Sequence, residues 1–291
     1  MTKEELLASG ELDFTVSKRR MQYLGTYDGT YETPFYCTVN DKTTEALGPV
    51  RSRYTVLQNA DLLNNILDKL QPNSYDLSQS KCGMFGGGRK IYFFIKLNSN
   101  IAIGEDGFDV YLYALSSHDG SQRLVYGVST KTHSCQNMFA TLMADKDNNY
   151  VVKHTAKIEK DNKMFINDLI DRNLMGIKHL FTIMQQHTPT PLFRGKFKNI
   201  VAKIEGKKKV VQSVKDKRQA LDDSITTEFN NKGNNYYGLF NGLTHYLTHK
   251  HHEYTNWSPE YELLIGNSNS YTKDALKLII NEMRAQGISL N

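Results

Sequence analysis

Residues 115–137, LSSHDGSQRLVYGVSTKTHSCQN, concentrate side chains that can act as bases, nucleophiles or metal ligands. His118 and Asp119 are adjacent, so on a strand their side chains point to opposite faces and do not form a general-base pair. The Asp-Gly step is also a strong signal for a two-residue hairpin turn. Two interpretations stay open: a plain turn, or a polar rim where His118, its neighbouring serines, Lys131 and His133 contact an anion.

A second group of such side chains lies at residues 245–253, where four histidines and a glutamate cluster. His245 and His249 have the i, i+4 spacing of a workable ligand pair on a helix. The chain has no HExxH motif and no second tightly spaced cluster, which favours a surface His-rich helix end over a zinc site. Cys135 has no oriented His-acid partner, which favours a buried thiol. We therefore assign no catalytic residue, no metal ligand and no cofactor from the sequence.

A glycine-rich stretch, GMFGGGRKI at residues 83–91, precedes a strand-like run. The phosphate loops of nucleotide-binding folds follow a strand and open a helix, and neither of their glycine spacings is present. This excludes a nucleotide fold at this stretch. Two interpretations remain: Arg89 holds a phosphate beside a closely approaching backbone, or the glycines form a plain turn at the start of the strand.

Basic charge is concentrated in residues 194–218, RGKFKNIVAKIEGKKKVVQSVKDKR. This segment holds ten Lys or Arg against two acidic residues, a net charge of +8, whereas the whole chain has +5. The rest of the chain is therefore slightly acidic. A local excess of this kind attracts phosphates, and the alternative is a solvated helical face. The cations that we expect to contact phosphate here are Arg194, Lys196, Lys198, Lys203, Lys207, Lys208 and Lys209.

Three runs of β-forming residues, at 90–97, 109–116 and 122–130, predict a three-stranded antiparallel meander. Alternation along the first two strands puts aliphatic side chains on one face and aromatic and cationic side chains on the other. Rings flanked by cations are what base stacking and backbone neutralisation require, whereas the same rings are core if helices cover the face. The residues of this aromatic face are Lys90, Tyr92, Phe94, Lys96, Tyr111 and Tyr113.

Apolar spacing predicts the other elements. A helix is expected at 59–70, short strands at 33–39 and 149–158, and a helix over 133–147 that packs on the meander. Further helices are expected at 163–185, about 194–229, 236–253 and 271–285. The predicted fold class is α+β: an antiparallel β-meander packed by a helix, followed by a helical C-terminal half. We expect an α+β core at 1–160 and a helical region at 161–291, packed on the core or extending from it.

The composition limits the classes of protein to which the chain can belong. With 291 residues, of which 39% are hydrophobic and 23% charged, the chain can bury a sizeable core and does not read as disordered. Its longest apolar run, about IYFFI, is far shorter than the roughly 20 residues of a membrane span. An acidic N-terminus without an apolar core, and three cysteines without a CxxC pair, indicate the cytoplasm.

Several short segments, in their order along the chain, resemble a known family. The segments are RYTVLQNADLL (53–63), GGGRKIYFFIKL (86–97), YLYALSSHDGS (111–121), VSTKTHSCQNMF (128–139), KHTAKI (153–158) and NNYYGLFNGLTHYLTHK (234–250). Together they are similar to the uncharacterised phage/plasmid-like family called domain of unknown function nine-three-two, over nearly the whole chain. This resemblance implies a phage- or plasmid-encoded cytoplasmic protein and assigns no activity. The architecture is also similar to that of the Rad-fifty-two-like single-strand annealing proteins, which form rings and bind the DNA backbone along a positive groove.

We therefore expect a phage-encoded protein of the host bacterial cytoplasm that binds single-stranded DNA or RNA, mainly through phosphates. A homo-oligomer that mediates DNA annealing or recombination is the expected form. Two alternatives stay open: a non-catalytic oligomeric protein that acts on host or phage partners, and a metal-dependent nuclease. The carboxylates of Asp106, Asp109 and Asp119 form no recognisable pair for the latter. The predicted interface residues are Arg89, Lys90, Tyr92, Phe94, Lys96, Tyr111, Tyr113, His118, Lys131, Arg194, Lys196, Lys198, Lys203, Lys207, Lys208 and Lys209.

Overall fold

The computed structural model describes residues 1–25, 29–104, 106–132, 138–140, 150–155, 166–199, 212–251 and 258–290. The fold is α+β, as the sequence predicts, with two β-sheets followed by helices in the C-terminal half. None of the helices in these ranges is long and apolar enough to cross a membrane.

A three-stranded antiparallel sheet lies near the N-terminus. Its strands, in the order β1–β2–β3, are β1 (Val16–Leu24), β2 (Thr30–Asn40) and β3 (Ala46–Val50). The register of β1 against β2 shifts between Arg20 and Gln22, where β2 carries Pro34. Proline has no N–H to donate to a ladder, so a bulge is where a strand tolerates it.

Two short helices are described in the first 70 residues. Helix α1 (Lys3–Ser9) begins at a capping box in which Thr2 and Glu5 each accept a backbone N–H of the other. Helix α2 (Asn59–Leu67) buries Leu62, Leu63 and Ile66 completely. The predicted helix at 59–70 is therefore confirmed, with an earlier end.

The larger sheet has six strands. They are β4 (Tyr75–Phe85), β5 (Lys90–Ile103), β6 (Asp106–Ser117), β7 (Leu124–Thr132), β8 (Met138–Ala140) and β9 (Tyr150–Val152). The order is β4–β5–β6–β7–β8, and β9 also pairs with β7. Strands β8 and β9 lie end to end, because β8 pairs with residues 129–131 and β9 with residues 124–126. The predicted meander corresponds to β5, β6 and β7.

The helix predicted over 133–147 is wrong at residues 138–140, which form β8. Helical spacing of Met138 and Phe139 suggested a helix, but pairing with β7 decides the backbone conformation, since tertiary context overrides local periodicity. The other residues of that prediction lie outside the described ranges.

The described C-terminal half is helical. Its helices are α3 (Ile166–Gln186), α4 (Pro191–Phe197), α5 (Gln212–Lys232), α6 (Tyr236–His249), α7 (Pro259–Leu264) and α8 (Asn267–Ala285). Thr190 caps α4 by accepting the N–H of Phe193, and Pro191 occupies its first turn, where no donor is needed. The helix predicted at about 194–229 is divided between α4 and α5, with residues 200–211 outside the description.

The chain forms two compact units. Unit 1 comprises residues 1–99, 110–128 and 145–171, and unit 2 comprises residues 100–109, 129–144 and 172–291. Phe93, Ile95 and Leu112 of unit 1 are fully buried, and in unit 2 the ring of Phe181 packs against those of Phe108, Tyr237 and Phe240. The boundary predicted at residue 160 falls in an undescribed stretch and stays a prediction.

Candidate nucleic-acid interface

The predicted aromatic face is buried. Phe94 is 1% exposed, Tyr113 6% and Tyr111 9%, and both tyrosine rings pack against Phe94. Lys96 is 6% exposed, and its Nζ donates to the carbonyl of Leu97 at 2.9 Å. Tyr92 is half-buried against Phe94. This burial matches the alternative interpretation, in which the rings belong to the core. We therefore do not include these residues in the candidate interface.

Two members of the predicted polar rim are not at an open surface. His118 is completely buried, and Lys131 is half-buried. The Asp-Gly step forms a turn between β6 and β7, with Gly120 at a φ of +71°, where glycine carries no steric penalty. Burial of His118 therefore argues against its direct contact with an anion.

The glycine-rich stretch forms the turn between β4 and β5. Gly86, Gly87 and Gly88 all have positive φ, which explains why this turn needs glycines. Arg89 is exposed and Lys90 half-buried, and neither forms an ion pair with a described residue. The carbonyl of Arg89 accepts the N–H of His118 at 2.8 Å, so the backbone of this turn lies beside the β6–β7 turn.

Two cations of the basic segment at 194–218 interact with other residues of unit 2. Lys198 forms an ion pair with Asp222, and the guanidinium of Arg194 lies 5.1 Å from the ring centroid of Phe229. Lys196 is exposed. Lys203, Lys207, Lys208 and Lys209 lie outside the described residues, and their role stays a prediction.

A cationic pocket that the sequence did not predict lies in unit 1. It has a volume of about 490 Å³ and is open to solvent. Three segments form its walls: the end of β3 with residues 51–54, the β6–β7 turn, and residues 153–155 after β9. Arg51, Arg53 and Lys153 are exposed on these walls, and none of them has a carboxylate within 4.0 Å among the described residues.

Hydrogen bonds hold the arginine-bearing wall of the cationic pocket in place. The N–H of Tyr54 donates to the carbonyl of Arg51 at 3.0 Å, which closes a turn around Ser52 and Arg53. From β1, Lys18 Nζ donates to the carbonyls of Ser52 and Tyr54, both at 2.9 Å. The turn therefore presents the two arginines from a fixed backbone, which lowers the entropy lost when they bind a ligand.

The floor of the cationic pocket is aromatic and neutral. Tyr54 stacks on His154 with ring centroids 5.0 Å apart, and its hydroxyl donates to the carbonyl of Ser117 at 2.6 Å. His154 Nε2 lies 3.2 Å from Ser116 Oγ, while its Nδ1 has no partner in the described part of the chain. Burial of the imidazole lowers the pKa of His154. At neutral pH the imidazole is therefore uncharged.

A second buried histidine, His118, lies near His154 but does not line the pocket. His118 Nε2 lies 2.8 Å from Asn59 Oδ1, and Asn59 Nδ2 donates to the carbonyls of Leu12 and Phe14. Because the amide nitrogen is occupied as a donor, Oδ1 is the acceptor and Nε2 of His118 carries the proton. Protonation of Nδ1 would put a donor where no described acceptor exists. Burial accordingly lowers the pKa of His118 to about 4, aided by the nearby His154.

The walls and floor together define the chemistry of the cationic pocket. Three permanent cations face one acidic side chain, Asp119, among the described residues that line it. Two arginines offer planar forks that match phosphate oxygens, and a lysine adds a compact charge. The arrangement therefore fits an anion with several acceptor oxygens.

Sequence reasoning missed these cations for an identifiable reason. Arg51 and Arg53 lie in GPVRSRYTV and Lys153 in KHT, two segments separated by about 100 residues. Each segment contributes only one or two positive charges, which is few compared with the ten basic residues at 194–218. Among the described residues there is no group of three or more His, Cys, Asp or Glu that could hold a metal ion.

The fold is α+β, and unit 1 carries an exposed cationic pocket. Residues 46–281 match the family model described as Domain of unknown function (DUF932), and the chain belongs to this family. The pocket lies within the matched range, whereas β1 and β2 precede it. No curated protein and no solved structure matches the chain, so nothing supports the likeness to the single-strand annealing proteins.

Proposed function

We propose that this protein binds single-stranded nucleic acid in the cytoplasm of a phage- or plasmid-bearing bacterium, mainly through phosphates. The observation that carries the proposal is the cationic pocket, where Arg51, Arg53 and Lys153 are exposed and have no acidic partner among the described residues. Unpaired, oriented cations of this kind are available to a polyanion without first breaking an ion pair.

The recessed shape of the cationic pocket favours a single strand over a duplex. A pocket of about 490 Å³ has room for a phosphate and part of its nucleotide, not for the width of a helix. A flexible strand can bend one phosphate into such a recess, whereas a duplex is stiff over about 150 base pairs. Contacts to the backbone leave base edges free, which supports the further proposal of a homo-oligomeric annealing or recombination mediator.

Fluorescence anisotropy with a labelled oligothymidine tests the binding proposal. For three phosphate contacts on a single strand, we expect the logarithm of the affinity to fall with the logarithm of salt concentration at a slope of about −2. The triple variant Arg51→Ala, Arg53→Ala, Lys153→Ala is expected to lose most of this slope together with most of the affinity.

A matched control separates the cationic pocket from total charge. The variant Lys81→Ala, Lys178→Ala, Lys277→Ala also removes three exposed cations, which have no ion pair with a described residue and do not line the pocket. It should retain most of the affinity. Equal losses in the two variants, or no salt-dependent binding by the native protein, would overturn the proposal.

A further inference from the structure

The β1–β2 hairpin, residues 16–40, carries half of the exposed large hydrophobic side chains in the described part of the chain. Of the ten such side chains, five lie here, and they include all three aromatic ones. Tyr23 and Phe35 are each 57% exposed, and Tyr31 is 50% exposed. Large apolar groups gathered in one place indicate a binding surface, since scattered single residues are the ordinary case.

The outer part of this hairpin is a ribbon of only two strands. Strand β3 pairs with residues 36–39 of β2, so residues 22–24 and 30–32 form strand pairs only with each other among the described residues. A two-stranded hairpin is marginally stable in water unless another surface packs on it. The ribbon therefore gains stability when a partner covers one of its faces.

The exposed rings share one face of the ribbon. Tyr23 and Tyr31 are directly opposite on β1 and β2, and their rings stack with centroids 5.4 Å apart. The register shift runs from residue 20 to 22 on β1 and from 36 to 32 on β2, so it keeps the alternation of side chains between the two faces. Met21 and Phe35 therefore lie on the same face as the two tyrosines. We call these four residues the hairpin face.

The hairpin face has no unpaired charge among the described residues. Arg19 is the charged residue at its base, and Arg19 Nη2 lies 3.3 Å from Asp41 Oδ1. The other ion pair of the hairpin, Arg20 with Glu32, belongs to the opposite face. A polyanion or an acidic protein would therefore meet no available cation on the hairpin face. Two identical faces of this kind bring no unpaired like charges together, which suits a contact between the same patch on two copies.

The area of the hairpin face also suits a contact between two copies. An aromatic side chain has roughly 200 Å² of surface, so three half-exposed rings offer about 300 Å² per copy and about 600 Å² across two copies. A stable interface buries about 1,000 Å² in total. The rings supply more than half of that area, and Met21, which is 37% exposed, adds to it.

We propose that two copies of this chain associate through the hairpin face, with the rings of one copy packed on those of the other about a twofold axis. This inference rests on the homo-oligomer of the proposed function, to which it assigns a contact surface, and it is independent of the cationic pocket. The hairpin face precedes residue 46, so the range that matches the family does not include it.

Sedimentation velocity of the full chain tests this contact. At micromolar concentration we expect the native protein to have twice the 33.3 kDa mass of one chain. The variant Tyr23→Thr, Tyr31→Thr removes two rings and keeps β-forming residues, and its dimer should dissociate with a constant at least about tenfold higher. The matched control Gln22→Thr, Leu24→Thr changes exposed neighbours on the opposite face and should dimerise as the native protein does.

Cross-linking gives a second measurement that does not remove both rings. Tyr23→Cys and Gln22→Cys place a thiol at adjacent positions of β1 that point to opposite faces. Packed sheets lie about 10 Å apart, which a short bismaleimide spans. We expect Tyr23→Cys to give more covalent dimer than the native protein, whose own cysteines set the background, and Gln22→Cys to give no more than that background. The reverse pattern would overturn the proposal.

Each remaining outcome decides against a stated claim. A native protein that stays monomeric, or two threonine variants that both stay dimeric, refutes the contact. If the native protein is monomeric and cosediments with phosphatidylcholine vesicles, the hairpin face contacts lipid instead. Oligothymidine binding reports separately on the cationic pocket. A dimer that binds no oligothymidine refutes the nucleic-acid proposal and leaves the contact standing, whereas a monomer that binds it does the opposite.

Discussion

The two groups of cations in this protein differ in what surrounds them. Arg51, Arg53 and Lys153 line the cationic pocket without a carboxylate within 4.0 Å among the described residues. In unit 2, by contrast, Lys198 pairs with Asp222, and Lys232 pairs with Asp106. Because the availability of a cation to an anion depends on its partners in the fold, we expect the pocket cations to bind an anion more readily than Lys198 or Lys232.

The largest expected effect concerns the buried ion pair of unit 2, Lys232 with Asp106. The side chains of Lys232 and Asp106 are 12% and 7% exposed, and Tyr237 Oη also donates to Asp106 at 2.9 Å. Lys232→Met would leave the carboxylate buried without its cation, and we expect a loss of about 3–5 kcal/mol in the free energy of unfolding. Urea denaturation measures this, with Lys196→Met as an exposed control that should change stability by less than about 0.5 kcal/mol. Equal effects would mean that Lys232 is not structural.

The buried histidine near the cationic pocket, His118, supplies the next prediction, which concerns pH. A histidine whose pKa is lowered in the folded state binds a proton more readily in the unfolded state. The free energy of unfolding is therefore higher above pH 6.5, where the imidazole is neutral in both states, and it falls as the pH drops below 6.5. For His118, with a pKa of about 4, stability should fall by about 3 kcal/mol as the pH drops from 6.5 to 4.

Denaturation at pH 7 and at pH 4.5 compares the native protein with His118→Asn. The variant is expected to lose part of the pH dependence, whatever its stability at pH 7. His179→Asn, at an exposed position of α3, serves as the control and should leave the dependence unchanged. A slope that survives in His118→Asn would show that other groups carry it.

The sequence predicted the elements better than it predicted the site. Alternation in residues 90–97 and helical spacing in residues 163–185 are local signals, and β5 and α3 follow them. Pairing of β8 with β7 is a long-range effect, so residues 138–140 misled local reasoning. Whether Tyr111 faces solvent depends equally on what packs over it.

The cationic pocket could not be predicted from the sequence for a similar reason. Asp119 and Lys153 become neighbours only when the β6–β7 turn and the segment after β9 meet residues 51–54. The Asp-Gly step indicated a turn here, since turn chemistry is local, but the connection between β6 and β7 spans residues 118–123 and not the two residues that the step suggests. The cations around it were visible in the sequence as residues, but their convergence was not, because it depends on the sheet order.

Single substitutions compare one unpaired cation of the pocket with one ion-paired cation of unit 2. Arg53→Ala should reduce the salt slope of oligothymidine binding by about 0.7 and weaken affinity several-fold, roughly 1 kcal/mol, because one phosphate contact is lost. Lys198→Ala removes the same charge from a residue that already has an acidic partner, and should leave the slope within error. Anisotropy titrations at three salt concentrations measure both. A larger change in Lys198→Ala would place the interface in unit 2.

The smallest expected effect concerns the stability of that surface pair. The side chains of Lys198 and Asp222 are 36% and 39% exposed, so water and salt screen their attraction. A double-mutant cycle with Lys198→Ala and Asp222→Ala should give a coupling energy of about 0–1 kcal/mol that declines at high salt. A coupling as large as that expected for Lys232 and Asp106 would contradict the distinction between buried and surface pairs. A coupling near zero would mean that the pair adds nothing measurable to stability, so that the salt slope of Lys198→Ala alone would distinguish Lys198 from the pocket cations.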